Sequence, residues 1–221
     1  MAGAELPSFH GIIGRSAAMQ ALFAEVAHFA AVDVPILIRG ESGTGKELVA
    51  RAIQHLSHRR DRPFETLNCA DLTRELLRSE LFGHERGAFT GAVSRTAGLV
   101  SRLNGGTLFM DEIGEQPSDA QAMLLRFLQA GEGRPVGAAR SVTVDVRLIA
   151  ATHRDLEAAV ERGTFREDFY YRLWWAVLEV PPLRARRDDI ALLVEHFRGE
   201  VNAGDGLGLD IRGHCPAPAP P

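Results

Sequence analysis

The stretch GESGTGK (40–46) has the residue types and the spacing of a phosphate-binding loop. Its three glycines allow the tight backbone turn that points N–H groups at phosphate oxygens, and its lysine can reach the β- and γ-phosphates of a nucleotide. The stretch follows the apolar segment ILIR and opens a segment of helical spacing, as such a loop requires. The residues expected to bind the nucleotide are Gly40, Glu41, Ser42, Gly43, Thr44, Gly45, Lys46 and Glu47.

A second apolar segment, GTLFMDE (106–112), ends in two carboxylates. Open α/β sheets bind ligands at the carboxyl ends of their strands, so both carboxylates are expected there. Glu47 stands where a Ser or Thr hydroxyl usually binds Mg²⁺, so metal coordination must depend on other groups. We expect Asp111 to hold Mg²⁺, directly or through water, and Glu112 to polarise the water that attacks the γ-phosphate. The pattern indicates a nucleoside triphosphatase.

The elements that must position these residues alternate along the chain. Short apolar runs, typical of strands buried on both faces, alternate with segments that carry apolar residues every three or four positions, as amphipathic helices do. This order predicts an α/β fold with a parallel sheet between helical layers. The predicted strands are 34–40, 63–68, 106–112, 144–152 and 176–181, and the predicted helices are 16–31, 45–56, 118–130 and 155–163.

Composition narrows the class of protein. The chain has 221 residues, is 45% hydrophobic and contains no apolar run near the roughly 20 residues of a membrane helix. Its first nine residues lack the pattern of a secretory signal, so we expect a cytoplasmic protein. The formal net charge of -4 argues against nucleic-acid binding through a basic surface of its own. The two cysteines, Cys69 and Cys215, are expected to be reduced and non-catalytic.

The hexapeptide GAFTGA (87–92) places Phe89 between two glycine–alanine pairs, in a window without strand or helix periodicity. From these residues alone, packing of Phe89 into a local core is favoured over exposure. The stretch 131–147, rich in glycine and basic residues, is predicted to be a mobile loop.

With these motifs in view, the region from Gly11 to Phe197 resembles the AAA+ domain of sigma-54-dependent transcription activators, the bacterial enhancer-binding proteins. A phosphate loop with Glu at position 47 is expected in this family, and GAFTGA is its hallmark among AAA+ proteins. The segments that carry the resemblance are IIGRSAAMQ (12–20), GESGTGKELVARAIQHLS (40–57), LNCADL (67–72), SELFGHERGAFTGA (79–92), GGTLFMDEIGE (105–115), RLIAATHRDL (147–156) and FREDFYYRLWWAVLEVPPLRARRDDI (165–190).

The resemblance implies a role for the hexapeptide as the loop that contacts sigma-54. Phe89 would be the contacting side chain, Thr90 would support that contact, and Gly87 and Gly91 would act as hinges. Two glycines free the backbone, and Phe offers a large apolar surface, which fits this role. The whole loop assigned to the partner is Gly87, Ala88, Phe89, Thr90, Gly91 and Ala92.

Other positions match catalytic positions of the family. Asn68 matches the asparagine that couples the γ-phosphate to the catalytic glutamate. The alternative is an ordinary polar residue at the end of a strand, without a catalytic role. Thr152 matches the sensor I position, although His153 beside it could instead be the sensing side chain. Arg166 and Arg172 match two candidate arginine fingers, which reach a neighbouring subunit's nucleotide. Six residues apart on a helix they point roughly 120° apart, so one could be the finger and the other an interface anchor. The alternative for either arginine is a solvated salt bridge.

The division expected along the chain is an N-terminal extension (1–10), an AAA+ core (11–182), the start of a helical lid (183–201) and a disordered tail (202–221). A helix capped by Asp188 and Asp189 is predicted to run to about Glu200. No segment resembling the rest of the lid or a helix-turn-helix is recognised, so an incomplete lid and no DNA-binding domain of its own are expected. The stretch 131–147 occupies the place of the family's second pore-side loop, for which contact with the polymerase complex and a plain connection are both open.

Two functions from different classes follow. The first is an ATPase that uses ATP and Mg²⁺, assembles as a hexameric ring and remodels the closed complex of the sigma-54 RNA polymerase holoenzyme. The second is a non-catalytic module that binds ATP or sigma-54, or poisons intact rings, without turnover. An AAA+ remodeller of another class is a third possibility, against which GAFTGA argues.

Overall fold

The structure, a computed structural model, describes residues 8–70, 72–89 and 92–205. Its described helices are α1 (Ala17–Ala30), α2 (Lys46–Leu56), α3 (Arg74–Phe82), α4 (Leu99–Arg102), α5 (Ser118–Ala130), α6 (Leu156–Glu161), α7 (Glu167–Leu173) and α8 (Ile190–Asp205). Its described strands are β1 (Ser8–Phe9), β2 (Ile12–Ile13), β3 (Ile36–Arg39), β4 (Phe64–Asn68), β5 (Gly83–His84), β6 (Thr96–Ala97), β7 (Thr107–Asp111), β8 (Glu132–Gly133), β9 (Val142–Thr143), β10 (Arg147–Thr152) and β11 (Ala176–Glu179).

The five longer strands form one parallel sheet in the order β11–β3–β10–β7–β4. Each strand lies inside a predicted strand segment, so the predicted parallel α/β sheet is confirmed. The carboxyl ends of β3, β10 and β7 are neighbours at one edge of the sheet, because β10 pairs with both of the others. The residues that follow these strands therefore meet at that edge.

Strands β3, β7 and β10 are buried on both faces, as the apolar runs predict, whereas β4 at the edge of the sheet is partly exposed, with Glu65, Thr66 and Asn68 at the surface. Leu37, Leu108 and Leu148 point into a core completed by α3, α4, α5, α6 and α7. Ile36, Phe109 and Ile149 point into a second core completed by α1 and α2. Alternate residues of each strand serve opposite cores, because successive side chains of a strand point to opposite faces. Helical layers thus cover both faces and hold the sheet edge in place.

Two stretches predicted to be irregular contain short antiparallel ribbons. The GAFTGA region rises from β5 paired with β6, and the stretch 131–147 contains β8 paired with β9. The prediction of a mobile, unpacked loop over 131–147 is therefore wrong at its ends, where the ribbon also packs Gly133 against the ring of Phe82. Strands of two residues leave no periodic pattern in a sequence, which is why both ribbons were missed.

The end of the described chain differs from the prediction in two respects. Asp189 does not cap α8; its carboxylate accepts hydrogen bonds from the backbone N of Arg15 at 2.7 Å, and from the backbone N and Oγ of Ser16 at 2.9 and 2.7 Å. It thereby fixes the start of α1. Helix α8 continues to Asp205, so the tail boundary placed at 202 falls inside a helix. Cys215 lies outside the described residues. Among the described helices, none is long and apolar enough to cross a membrane.

Candidate active site

The glycine-rich loop joins β3 to α2 in the conformation that its glycines allow. Gly43 and Gly45 have φ values of 76° and 96°, a left-handed conformation that strains other residues. Lys46 begins α2, and its Nζ donates to the carbonyl oxygens of Gly40 and Glu41 at 3.1 and 3.3 Å. The ammonium group therefore lies over the loop, beside the amino end of α2, where backbone N–H groups favour an anion.

The two carboxylates at the end of β7 have different surroundings. Asp111 ends the strand, and burial raises the pKa of its carboxyl group, with the negative charge of Glu112 adding to the effect. Glu112 follows with φ 55° and ψ 44°, a left-handed backbone that is uncommon outside glycine. Its Oε1 lies 3.8 Å from Nζ of Lys46. The fold thus brings the lysine of the loop and the predicted catalytic carboxylate together.

The end of β10 supplies the next side chains. Thr152 is fully buried, its carbonyl oxygen accepts from the backbone N of Gly40 at 3.3 Å, and its Oγ1 accepts from the backbone N of Arg154 at 3.1 Å. The exposed His153 instead places Nδ1 2.7 Å from Oε2 of Glu112. The two candidates for sensor I thus differ. Thr152 accepts hydrogen bonds from backbone N–H groups, and His153 contacts the carboxylate of Glu112.

Asn68 lies next to Asp111 across the sheet but does not touch Glu112. Its Oδ1 accepts from the backbone N of Ala70 at 2.9 Å, a turn within its own chain segment. In this conformation Asn68 is therefore a polar residue at the end of a strand without a contact to the catalytic carboxylate, which is the alternative that the sequence left open. Cys69, the following residue, is a buried free thiol, and burial raises its pKa to about 12, which disfavours the nucleophilic thiolate.

The described residues contain no group of three or more metal-ligating side chains. Glu47 is engaged on the surface of α2, where Oε1 accepts from Nη2 of Arg51 at 2.7 Å. Asp111 is therefore the carboxylate at this edge that is free to serve a cation together with phosphate oxygens and water. Mg²⁺ is commonly bound by one or two carboxylates and substrate phosphates, so this donor set fits the ion.

Two arginines tie the phosphate loop to the segment before α8, a contact that the sequence did not reveal. Nη1 and Nη2 of Arg184 donate to Glu41 at 2.7 and 2.6 Å. Nη2 of the buried Arg186 donates to the carbonyl oxygen of Thr44 at 3.1 Å. These partners are more than 140 positions apart, and only the RARR composition of the segment could have drawn attention to them.

The comparison with protein families matches residues 12–179 to the Sigma-54 interaction domain. The match covers the sheet, the phosphate loop and GAFTGA. This chain belongs to the sigma-54 interaction domain family. The resemblance inferred from the motifs is confirmed.

Curated relatives and solved structures agree with this family. The chain is 51% identical to the regulator NtrC of Azospirillum brasilense over 91% of this chain and 41% of that protein. It is 56% identical to ZraR of Salmonella typhimurium over 88% of this chain and 45% of that protein. NtrX of Brucella abortus, solved in complex with ATP, matches with a TM-score of 0.82 at 40% identity, over 89% of this chain and 44% of that one. The AAA+ P-loop NTPase fold is confirmed, and the chain spans less than half the length of these relatives.

In this sigma-54 interaction domain, the described residues of GAFTGA, 87–89 and 92, lie between the two strands of the β5–β6 ribbon. Gly87 has φ 78° and its backbone N donates to the carbonyl oxygen of Ala92 at 2.9 Å, which closes the loop. Phe89 is 45% exposed, with its ring edge-on to that of His84 at a centroid distance of 4.9 Å. The phenylalanine is therefore neither buried in a local core nor free of the loop base. Thr90 and Gly91 lie outside the described residues.

The two finger candidates have different environments in this family member. Arg166 is the residue before α7, with an extended backbone, so the angle of 120° calculated for a continuous helix does not apply. Its guanidinium pairs with Asp168 at 3.0 and 2.7 Å, the salt bridge that the sequence offered as the alternative. Arg172 donates from Nη2 to the carbonyl oxygen of Leu128 at 3.0 Å. In the described structure neither arginine contacts Lys46 or Glu112 of its own chain.

Proposed function

We propose that this domain binds and hydrolyses ATP and uses the hydrolysis to remodel the closed complex of the sigma-54 RNA polymerase holoenzyme. One observation carries the proposal: Lys46 and Glu112, on separate elements, lie 3.8 Å apart at the sheet edge where α/β folds bind nucleotides. Lys46 and the amides of 40–47 bind the phosphates. Glu112 accepts a proton from the attacking water. The oxygen of that water bonds to the γ-phosphorus, and the bond between the γ-phosphorus and the bridging oxygen of the leaving ADP breaks.

Asp111 would hold Mg²⁺ in this reaction. The ion supplies charge neutralisation to the phosphates when it is bound. The carboxylate of Asp111 already accepts from the backbone N of Glu112 at 2.9 Å, so one of its oxygens is oriented before any cation arrives.

A ring of several copies would complete each site. Arg166 and Arg172 do not reach the nucleotide site of their own chain, and a guanidinium from a neighbouring copy can stabilise charge that develops in the transition state. Arg166 is the more accessible of the two, since its partner Asp168 holds it at the surface. We assign Arg166 the role of finger and Arg172 that of interface anchor, in a hexamer by family resemblance.

GAFTGA would be the contact with sigma-54. Phe89 presents a partly exposed aromatic surface on a loop whose remaining residues are small, which is the form of an aromatic anchor. The family's name supports sigma-54 as the partner. The relatives NtrC and ZraR are regulators of transcription, which supports a regulatory role for this chain as well.

ATP turnover at increasing chain concentration tests the catalytic part of the proposal. Specific activity should rise with concentration, because each site needs a neighbour's arginine. Glu112→Gln should lower kcat about 100-fold or more while ATP still binds, since it removes the proton acceptor and keeps the shape. Lys46→Ala should weaken ATP binding itself. Wild-type activity no higher than that of Lys46→Ala at every concentration would reject hydrolysis and leave the non-catalytic binding module.

A further inference from the structure

His84, at the base of the GAFTGA loop, has a backbone that is held from two sides. On one side it pairs with Thr96 of β6, and on the other it forms a bridge with Val136. The backbone N of Val136 donates to the carbonyl oxygen of Gly83 at 2.9 Å, and the backbone N of Glu85 donates to the carbonyl oxygen of Val136 at 3.0 Å. The position of His84 is therefore set by two neighbouring segments and not by the loop that follows it.

The imidazole of His84 is also tethered. Its Nδ1 lies 2.9 Å from Oγ of Ser79, in the last turn of α3, and this hydrogen bond restricts rotation of the ring. The ring centroid is 4.9 Å from that of Phe89, with an angle of 66° between the two ring planes. This is close to the edge-to-face arrangement that aromatic pairs prefer.

Phe89 itself lies on a loop of small residues. Gly87 has a left-handed φ of 78°, and Ala88 and Ala92 offer only methyl groups for packing. A side chain on such a loop must be ordered when a partner binds, and that ordering reduces affinity. A ring that is already held against a fixed neighbour loses less freedom on binding, so the contact with His84 should favour association.

We propose that His84 is a positioning residue for the contact with sigma-54, in which its ring supports Phe89 and presents the exposed part of that side chain in a fixed direction. The inference rests on the proposed function of the GAFTGA loop. His84 acts through Phe89, and Ser79 sets the orientation of the imidazole. Because the backbone of His84 is held by Thr96 and Val136, this support does not depend on the loop itself.

Binding to sigma-54 with a transition-state analogue present tests this role. His84→Ala should weaken binding about 3- to 10-fold, the contribution of an aromatic pair, with ATP turnover changed less than about twofold. His84→Phe should restore most of the binding because it keeps a ring, whereas His84→Asn, which keeps a polar group without a ring, should not. The matched control is His28→Ala, which removes an imidazole at the same angle of 66° to Phe29, with centroids 5.3 Å apart on α1, and should have no effect.

A double substitution separates positioning from folding. In a chain that already carries Phe89→Ala, His84→Ala should cause no further loss of binding, because His84 acts only through the ring of Phe89. An equal loss in both backgrounds, full binding by His84→Ala, or tighter binding by that variant would overturn the proposal. Binding that survives Phe89→Ala would reject the loop as the contact with sigma-54, and the role of His84 with it.

A second measurement needs no partner. The ring ¹H and ¹³C signals of Phe89 in the free chain, identified by their loss in Phe89→Leu, should shift in His84→Ala because the ring current of the imidazole is removed. They should not shift in His28→Ala. Unchanged signals in His84→Ala would refute the contact between the two rings. A chain that does not bind sigma-54 would reject the proposed function, while these signals would still decide whether His84 supports Phe89.

Discussion

The candidate active site and the GAFTGA loop are supported by strands of different length. The site residues Gly40, Asp111 and Thr152 lie at the ends of strands of four to six residues within one parallel sheet. The GAFTGA loop connects two strands of only two residues each. The sheet edge is held by two cores and many ladder hydrogen bonds. The loop base is held by a few backbone contacts that depend on glycine, notably where Gly83 and Gly98 approach each other. Precise chemistry is better placed on rigid elements, and a moving contact on weakly held ones. The two regions should therefore respond separately to mutation.

The largest effect is expected from filling the glycine contact under the loop. A Cβ on Gly98 would lie 2.2 Å from the backbone carbon of Phe82 and 2.3 Å from the carbonyl oxygen of Leu81. Neither backbone atom can move away easily, so Gly98→Ala should lower the free energy of unfolding by about 3 kcal/mol in urea denaturation. ATP affinity measured below the unfolding transition should stay within about threefold.

The matched control for this substitution is Gly199→Ala. Gly199 lies in α8, where an added Cβ would meet no neighbouring atom within 4 Å, so alanine there should leave stability unchanged or raise it by up to about 1 kcal/mol. Equal destabilisation by both substitutions would mean that the close approach under the loop is not what matters. A large loss of ATP affinity in Gly98→Ala would show that the loop base and the sheet edge are one unit.

The parallel sheet and the phosphate loop could be predicted from the sequence because each has a local signature. Strands buried on both faces are continuous apolar runs, and the spacing of glycines and lysine between strand and helix is specific. The contact of His153 with Glu112 has no such signature. It depends on the register of β10 against β7 and on the left-handed turn at Glu112, which no periodicity encodes.

Two further predictions were wrong at single residues. Asp189 reads as a helix cap because Asp is favoured there, but its partners Arg15 and Ser16 lie more than 170 positions away. Arg166 reads as part of a helix because α7 follows it directly, yet it is the residue before the first turn. Local preference identified the correct residue types in both cases. Long-range contacts decided what Asp189 does, whereas the guanidinium of Arg166 forms a local pair with Asp168.

A smaller effect is expected at the tie between α1 and the segment before α8. Although burial opposes it, hydrogen bonds from Ser16 and from the backbone N of Arg15 hold the pKa of Asp189 below its ordinary value. Asp189→Asn should lower the free energy of unfolding by about 2 kcal/mol at pH 7, because a charged acceptor of three hydrogen bonds is lost.

The pH dependence of this effect follows from the sign of the shift. A carboxyl group whose pKa is lowered by folding stabilises the fold above its unfolded pKa, about 3.9, and this contribution is lost as the pH falls through the folded value. The difference between wild type and Asp189→Asn, followed by denaturation at decreasing pH, should therefore shrink below about pH 4. Asp188→Asn, at the exposed neighbouring position, should change stability by less than about 0.5 kcal/mol. If the difference in free energy of unfolding did not depend on pH, the shape of the Asp189 side chain and not its charge would stabilise the contact with Arg15 and Ser16.

The smallest effect on the fold, and the sharpest separation of the two regions, is expected from Phe89→Ala. The side chain is 45% exposed and contacts the ring of His84, so its removal should change the free energy of unfolding by less than about 1 kcal/mol and turnover by less than about twofold. Binding to sigma-54 with a transition-state analogue present should weaken at least about 30-fold, as loss of an aromatic anchor does. Val93→Ala, at an 83% exposed position beside the loop, should leave that binding intact. Parallel loss of turnover and binding in Phe89→Ala would show that the loop supports the sheet edge. A side chain that serves only as the contact with sigma-54 can be removed without slowing ATP hydrolysis.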